Sequence, residues 1–127
     1  MINIKEYTQN GLPYTDIYLT RGDDATLVLP IISVAADGTK TAYTMDPSDV
    51  VAVQVRATPI TASSPTPAII INGTVTVSDG VPSWSISHSN STINVGTYYW
   101  DAQITTSAGD VYTFYQGQFT IIPEVTT

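Results

Sequence analysis

Between Gly96 and Pro123 the chain spells two long alternating runs around one turn, and this stretch constrains its fold more than any other. Tyr98, Trp100, Ala102 and Ile104 share one parity and Tyr99, Asp101, Gln103 and Thr105 the other, which is the period of a half-buried strand. Ser107-Ala108-Gly109-Asp110 makes the turn, and Val111 to Ile122 returns as a second strand closed by Pro123. One face of such a hairpin must build a core, and the other meets water or a partner. In a simple register Tyr98, Trp100, Tyr115 and Phe119 point inward, whereas Tyr99, Tyr112 and Phe114 point outward.

Upstream, the leader to Tyr14 carries Gly11-Leu12-Pro13 and little periodicity, so residues 1–15 are expected to form an N-terminal arm or edge strand and residues 16–127 a single domain. Asp16 to Thr20 reads as a short strand ending in the turn Arg21-Gly22-Asp23-Asp24. Ala25 to Val34 follows, with Pro30 interrupting the amide ladder and so placing that strand at a sheet edge or a bulge. Asp37-Gly38 suits a type I′ hairpin turn, and Val51, Val53 and Val55 mark a central strand. Pro59 to Pro67 is polar enough to be an exposed loop. Asn72-Gly73 predicts a hairpin joining Ala68–Ile71 to Thr74–Ser78, and Asp79-Gly80 turns the chain again into Ser83–Ser87.

These runs add up to about seven to nine strands with turns roughly every 8 to 12 residues and no amphipathic helix, which predicts an all-β immunoglobulin-like antiparallel sandwich. A barrel is the other architecture that such a pattern allows. Trp84 and Trp100 each stand alone between polar neighbours, so each is expected to fill the space between sheets. Gly96-x-Tyr98 has the form of a tyrosine corner.

Charge and composition narrow the function. Eleven acids against Lys5, Arg21, Lys40 and Arg56 give a net charge of −7, a surface that repels phosphate backbones, so nucleic acid is not an expected partner. Only 12% of residues are charged, and the Thr- and Ser-rich remainder suits strands and loops. The chain has no cysteine and a single histidine, His88, with no Gly-x-Ser-x-Gly elbow for a serine nucleophile. No catalytic residue and no enzyme activity are expected, and His88 reads as a loop residue. Asp23, Asp24, Asp37, Asp46, Asp49 and Asp110 fall in turns, where aspartate caps local amides, so neither metal nor cofactor is expected. Arg21-Gly22-Asp23 likewise reads as a turn rather than an adhesion tripeptide, and Asn72-Gly73-Thr74 and Asn90-Ser91-Thr92 are glycosylation sequons in form only. The first residues lack the apolar run of a signal peptide, and no stretch approaches the roughly 18 apolar residues of a membrane span, so no membrane partner is expected.

Gly96-x-Tyr98-x-x-Asp101, Gly109, Gly117-x-Phe119 and the terminal Pro123-Glu124-Val125-Thr126 resemble the immunoglobulin-like domains of tailed-phage virion proteins. That group includes the N-terminal domains of upper baseplate proteins and small stand-alone virion proteins. Arg21-Gly22-Asp23 before the strand from Ala25 is similar to the start of those domains. The resemblance implies a non-enzymatic structural or adaptor role in a virion, made in the host cytoplasm and released by lysis. Baseplate proteins continue past such a domain, so for a chain ending at Thr127 it implies an accessory protein on a head or tail surface. The partners expected are capsid, tail or fibre subunits, or further copies of the chain, met through Tyr99, Tyr112 and Phe114. A carbohydrate-binding module that stacks Tyr99, Tyr112 or Trp84 on sugar rings is the alternative, and an adhesin domain a third.

Overall fold

A computed structural model of the chain describes residues 2–9, 12–34 and 36–124. Its strands are β1 (Ile2–Gln9), β2 (Leu12–Thr20), β3 (Ala25–Val28), β4 (Ile31–Val34), β5 (Lys40–Tyr43) and β6 (Val50–Arg56). They continue with β7 (Ile69–Asn72), β8 (Thr74–Ser78), β9 (Val81–Ile86), β10 (Gly96–Thr105) and β11 (Val111–Ile122), and one helical turn, α1 (His88–Ser91), precedes β10. Gly11 of the leader and Val125-Thr126 of the closing motif lie outside the described residues.

The long hairpin β10–β11 sits near the middle of a six-stranded sheet in the order β1-β2-β11-β10-β6-β7. Its strands pair antiparallel except for β2 and β11, which run parallel with Ile17 opposite Phe119. A three-stranded sheet, β3-β9-β8, packs on one face, and β4–β5 forms a separate ribbon. Both sheets are open, with β1 and β7 at the edges of the larger one, so the fold is a sandwich rather than a barrel. Trp84 of β9 and Trp100 of β10 meet across the layers with ring centroids 5.5 Å apart and planes 27° from parallel. Phe119, Ile17, Leu19, Val53, Val55 and Ile86 close around them in one apolar cluster. Tyr98 is the third residue of β10, and its hydroxyl donates to the Asn94 carbonyl at 2.7 Å, the bond that defines a tyrosine corner.

Four local expectations change. The strand expected from Asp16 starts at Leu12, because β1 pairs with it along its whole length as the sheet edge. The run Ala25–Val34 breaks at Leu29-Pro30, where proline has no amide to donate, and its halves β3 and β4 join different sheets. Asp37-Gly38 turns β4 into β5, but Gly38 alone takes positive φ, and the Asp37 carboxylate accepts the Thr39 amide at 2.9 Å, an Asx turn rather than type I′. Asn72-Gly73 makes no hairpin either: β7 belongs to the large sheet and β8 to the small one. Gly73 is where the chain changes layers, and a Cβ there would come within 2.9 Å of both Trp84 Nε1 and Val53 Cβ. The type I′ turn is Asp79-Gly80, with φ of 52° and 75°, joining β8 to β9.

Asp49 ties the ribbon to the sandwich. Its carboxylate accepts the Tyr43 hydroxyl at 2.5 Å, the Asp46 amide at 3.0 Å and the Ser107 amide at 3.1 Å, so one side chain joins β5, its own turn and the β10–β11 hairpin. The Tyr43 hydrogen bond, then the Asp46 amide, hold the Asp49 carboxyl below its ordinary value of 3.8. The same bond pushes Tyr43 up to about 12. A carboxyl depressed in the folded state stabilises it above the unfolded pKa and loses that contribution as pH falls through the folded value. Tyr43 acts in the opposite range, its contribution being complete below pH 10.0 and lost between there and about 12. The thermal midpoint of wild type should therefore exceed that of Asp49→Asn at neutral pH, with the gap closing in acid below pH 3.8. A gap that stayed constant through that range would show that the Asp49 carboxylate is not what holds the ribbon.

Candidate functional site: the outer face of the large sheet

Because β6, β10 and β11 lie side by side in register, their outward side chains line up in rows across the sheet. From one end these are Val50, Thr105 and Val111, then Ala52, Gln103 and Thr113, then Gln54, Asp101 and Gln116, then Arg56, Tyr99 and Gln118. Among these rows the only charged residues are Asp101 and Arg56. The remainder is amide, hydroxyl or small apolar, so the face is polar but nearly uncharged.

A cleft of about 210 Å³ opens on this face, lined by Tyr14, Gln54, Arg56, Tyr99, Asp101 and Gln116 and walled on one side by the loop Thr58 to Ile60. Arg56 is fixed before any ligand arrives. Its guanidinium donates to the Pro67 carbonyl at 2.8 Å and to Gln54 Oε1 at 2.6 Å, while its buried Nε has no hydrogen-bond partner. Gln54 is held in turn by donating to Asn72 Oδ1 at 3.3 Å. Asp101 is half-buried, and burial pushes its carboxyl above the ordinary value of 3.8, with the Arg56 charge pulling the other way. A carboxylate and a guanidinium thus share one small opening with two phenol rings.

The three aromatics expected to form one outward patch are separated. A β-bulge between Ala102 and Gln103 leaves Phe114 as an extra residue, since Ala102 pairs with Tyr115 and Gln103 with Thr113. One extra residue reverses the parity of everything beyond it. Tyr112 consequently faces the same side as Ile104, its partner, and is 58% exposed. Phe114 is half-buried against the core, edge-on to Tyr115 at 5.2 Å. Tyr99 remains on the outer face in the cleft, five residues along β10 from Ile104, about 17 Å at ~3.4 Å per residue. Trp84, at 0% exposure, is in no position to stack on a sugar.

Sequence reading missed Tyr14, Gln54, Arg56, Asp101 and Gln116 as site residues. The alternation of Val53 and Val55 with Gln54 and Arg56 did carry a signal, because it turns the glutamine and arginine outward. What joins them to Tyr14 and Tyr99 is strand order, which no local pattern contains. At the opposite end of the large sheet from Val50, Arg21 donates through Nε to the Ile93 carbonyl at 2.9 Å and lies 3.7 Å from Glu124. His88 Nδ1 meets the Gly22 carbonyl at 2.6 Å, and Ser91 Oγ donates to the Asp23 carbonyl at 2.7 Å. The Arg-Gly-Asp tripeptide and the histidine thus fasten a turn to α1. Among the described residues no group of three His, Cys, Asp or Glu side chains could hold a metal ion, and no helix is long and apolar enough to cross a membrane. No protein-family model matches the chain, and no curated protein matches it either.

Proposed function

We propose that the chain is a non-enzymatic structural or accessory protein of a tailed-phage virion, an immunoglobulin-like domain attached to another protein subunit on the head or tail surface. The observation that carries the attachment is the end of the large sheet. Val50 and Val111 flank Thr105 in one outer row, at 61% and 56% exposure, and Tyr112 is exposed on the other face of the same end, so a partner would have to wrap that end of the sheet. Large apolar side chains left in water at one end of a sheet mark contact surfaces. The immunoglobulin-like part of the reading is supported by the parallel pairing of β2 with β11, the three-stranded partner sheet and the tyrosine corner.

An interface of this composition is held by apolar burial and one aromatic anchor, so its attachment should survive about 1 M salt, where the Debye length shrinks to roughly 3 Å. Tyr112→Ala should weaken attachment by about 1 kcal/mol or more, and Val111→Asp should remove the protein from purified particles while leaving the isolated domain folded. Copy number per particle, measured by quantitative mass spectrometry of virions assembled with each variant, checks both. Normal incorporation of Val111→Asp would place the attachment surface elsewhere.

A further inference from the structure

We propose that the cleft on the outer face of the large sheet binds one ring of a neutral saccharide. Its volume of about 210 Å³ lies below the roughly 300–1,000 Å³ of sites that enclose a drug-sized ligand, so it suits a single ring rather than an extended molecule. Tyr99 and Tyr14 supply aromatic surface with a polar tip, matching a ring that has apolar C–H faces and a hydroxyl rim. Asp101 offers acceptors only, Arg56 donors only, and Gln54 and Gln116 both. Vicinal hydroxyls, each a donor and an acceptor, can satisfy all three kinds of group at once.

Two observations favour a neutral ring over an anion or an apolar side chain, and a third lowers the cost of binding it. Asp101 stands in the cleft with Arg56, so the opening has no net positive charge to draw an anion to a chain of net charge −7. An apolar occupant would cover a half-buried carboxylate and give it no hydrogen bond, which costs free energy. Arg56 and Gln54 are already immobilised by Pro67, each other and Asn72, so little rotamer freedom is lost when a ligand binds. Such a small polar site has a Kd on the order of 1 mM, in the range where repeated copies on one particle would add avidity.

Amide chemical shifts of the intact chain titrated with the methyl glycosides of glucose, galactose, mannose and N-acetylglucosamine, and with N-acetylneuraminate, test this. At least one neutral glycoside should shift amides of residues 54–58, 60, 99–101 and 116–118. Tyr99→Ala should weaken that binding about tenfold, and Asp101→Asn, which keeps the side-chain shape, several-fold. Tyr112→Ala, at the far end of the sheet, should bind as wild type does. Silence towards every neutral glycoside, a response to N-acetylneuraminate alone, or shifts unchanged in both cleft variants would each overturn the proposal. Any of those results would leave the attachment surface at Val50 and Val111 standing, because that surface is read by particle incorporation and shares no residue with the cleft.

Discussion

Replacing Trp100 with alanine is expected to lower stability by roughly 3–5 kcal/mol, the range for deleting a buried large aromatic. Trp100 touches Trp84 across the sheets at 5.5 Å and Tyr115 within its own sheet at 5.9 Å, so its loss opens a cavity bordered by rings too large to collapse into it. Its indole N–H also donates to the Thr15 carbonyl at 2.8 Å, and truncation leaves that acceptor buried and unpaired. Trp84 differs in this respect, since its own Nε1 is buried without a partner. Trp100→Phe should therefore cost more than Trp84→Phe, by about 1 kcal/mol, although both remove similar volume. Chemical denaturation of the three variants beside wild type measures the differences. Equal costs for the two phenylalanine variants would mean that the Thr15 bond contributes nothing.

Gly117→Ala should be nearly as damaging, at about 3 kcal/mol, the upper end of what forced overpacking costs. Gly117 lies opposite Trp100, and a Cβ there would sit 2.0 Å from the Thr15 carbonyl oxygen and 2.6 Å from its carbon. Those atoms are backbone, so no rotamer change relieves the overlap. The whole of β2 would have to move, and with it the hydrogen bond from the Gln118 amide to Asp16 at 2.9 Å and the parallel ladder that starts at Phe119. Hydrogen exchange should accelerate along β1 and β2 before it does in the small sheet. Gly109 provides the contrast: at φ 89° with nothing within 4 Å, its alanine variant meets backbone strain alone, about 1–2 kcal/mol. A Gly117→Ala protein that unfolded like wild type would disprove the close approach of β2.

Much of this architecture was legible in local patterns. The alternation from Gly96 to Ile122 predicted β10 and β11, and the polar flanks of Trp84 and Trp100 predicted that both rings lie between layers. The outer face was half legible: parity turned Tyr99 outward correctly, but it misplaced Phe114 and Tyr112 once the bulge intervened. Asn72-Gly73 and Asp79-Gly80 carry the same turn signal, yet only the second is a hairpin. The difference lies in Trp84 and Val53, which crowd Gly73 from both layers and make it a crossing point.

The sequence by itself determined which segments extend, which face of each is apolar and which rings must be buried, because those properties follow from side chains two residues apart on one strand. Tertiary structure alone decided that β2 lies parallel to β11, that Pro30 divides its strand between two sheets, and that Tyr14, Arg56, Tyr99 and Asp101 line one cleft. Those outcomes depend on contacts between segments up to about a hundred residues apart, such as Asp16 with Gln118. Strand propensity distinguishes residues by only ~1 kcal/mol, so the choice falls to the packing around Trp84 and Trp100, where several times that amount is at stake.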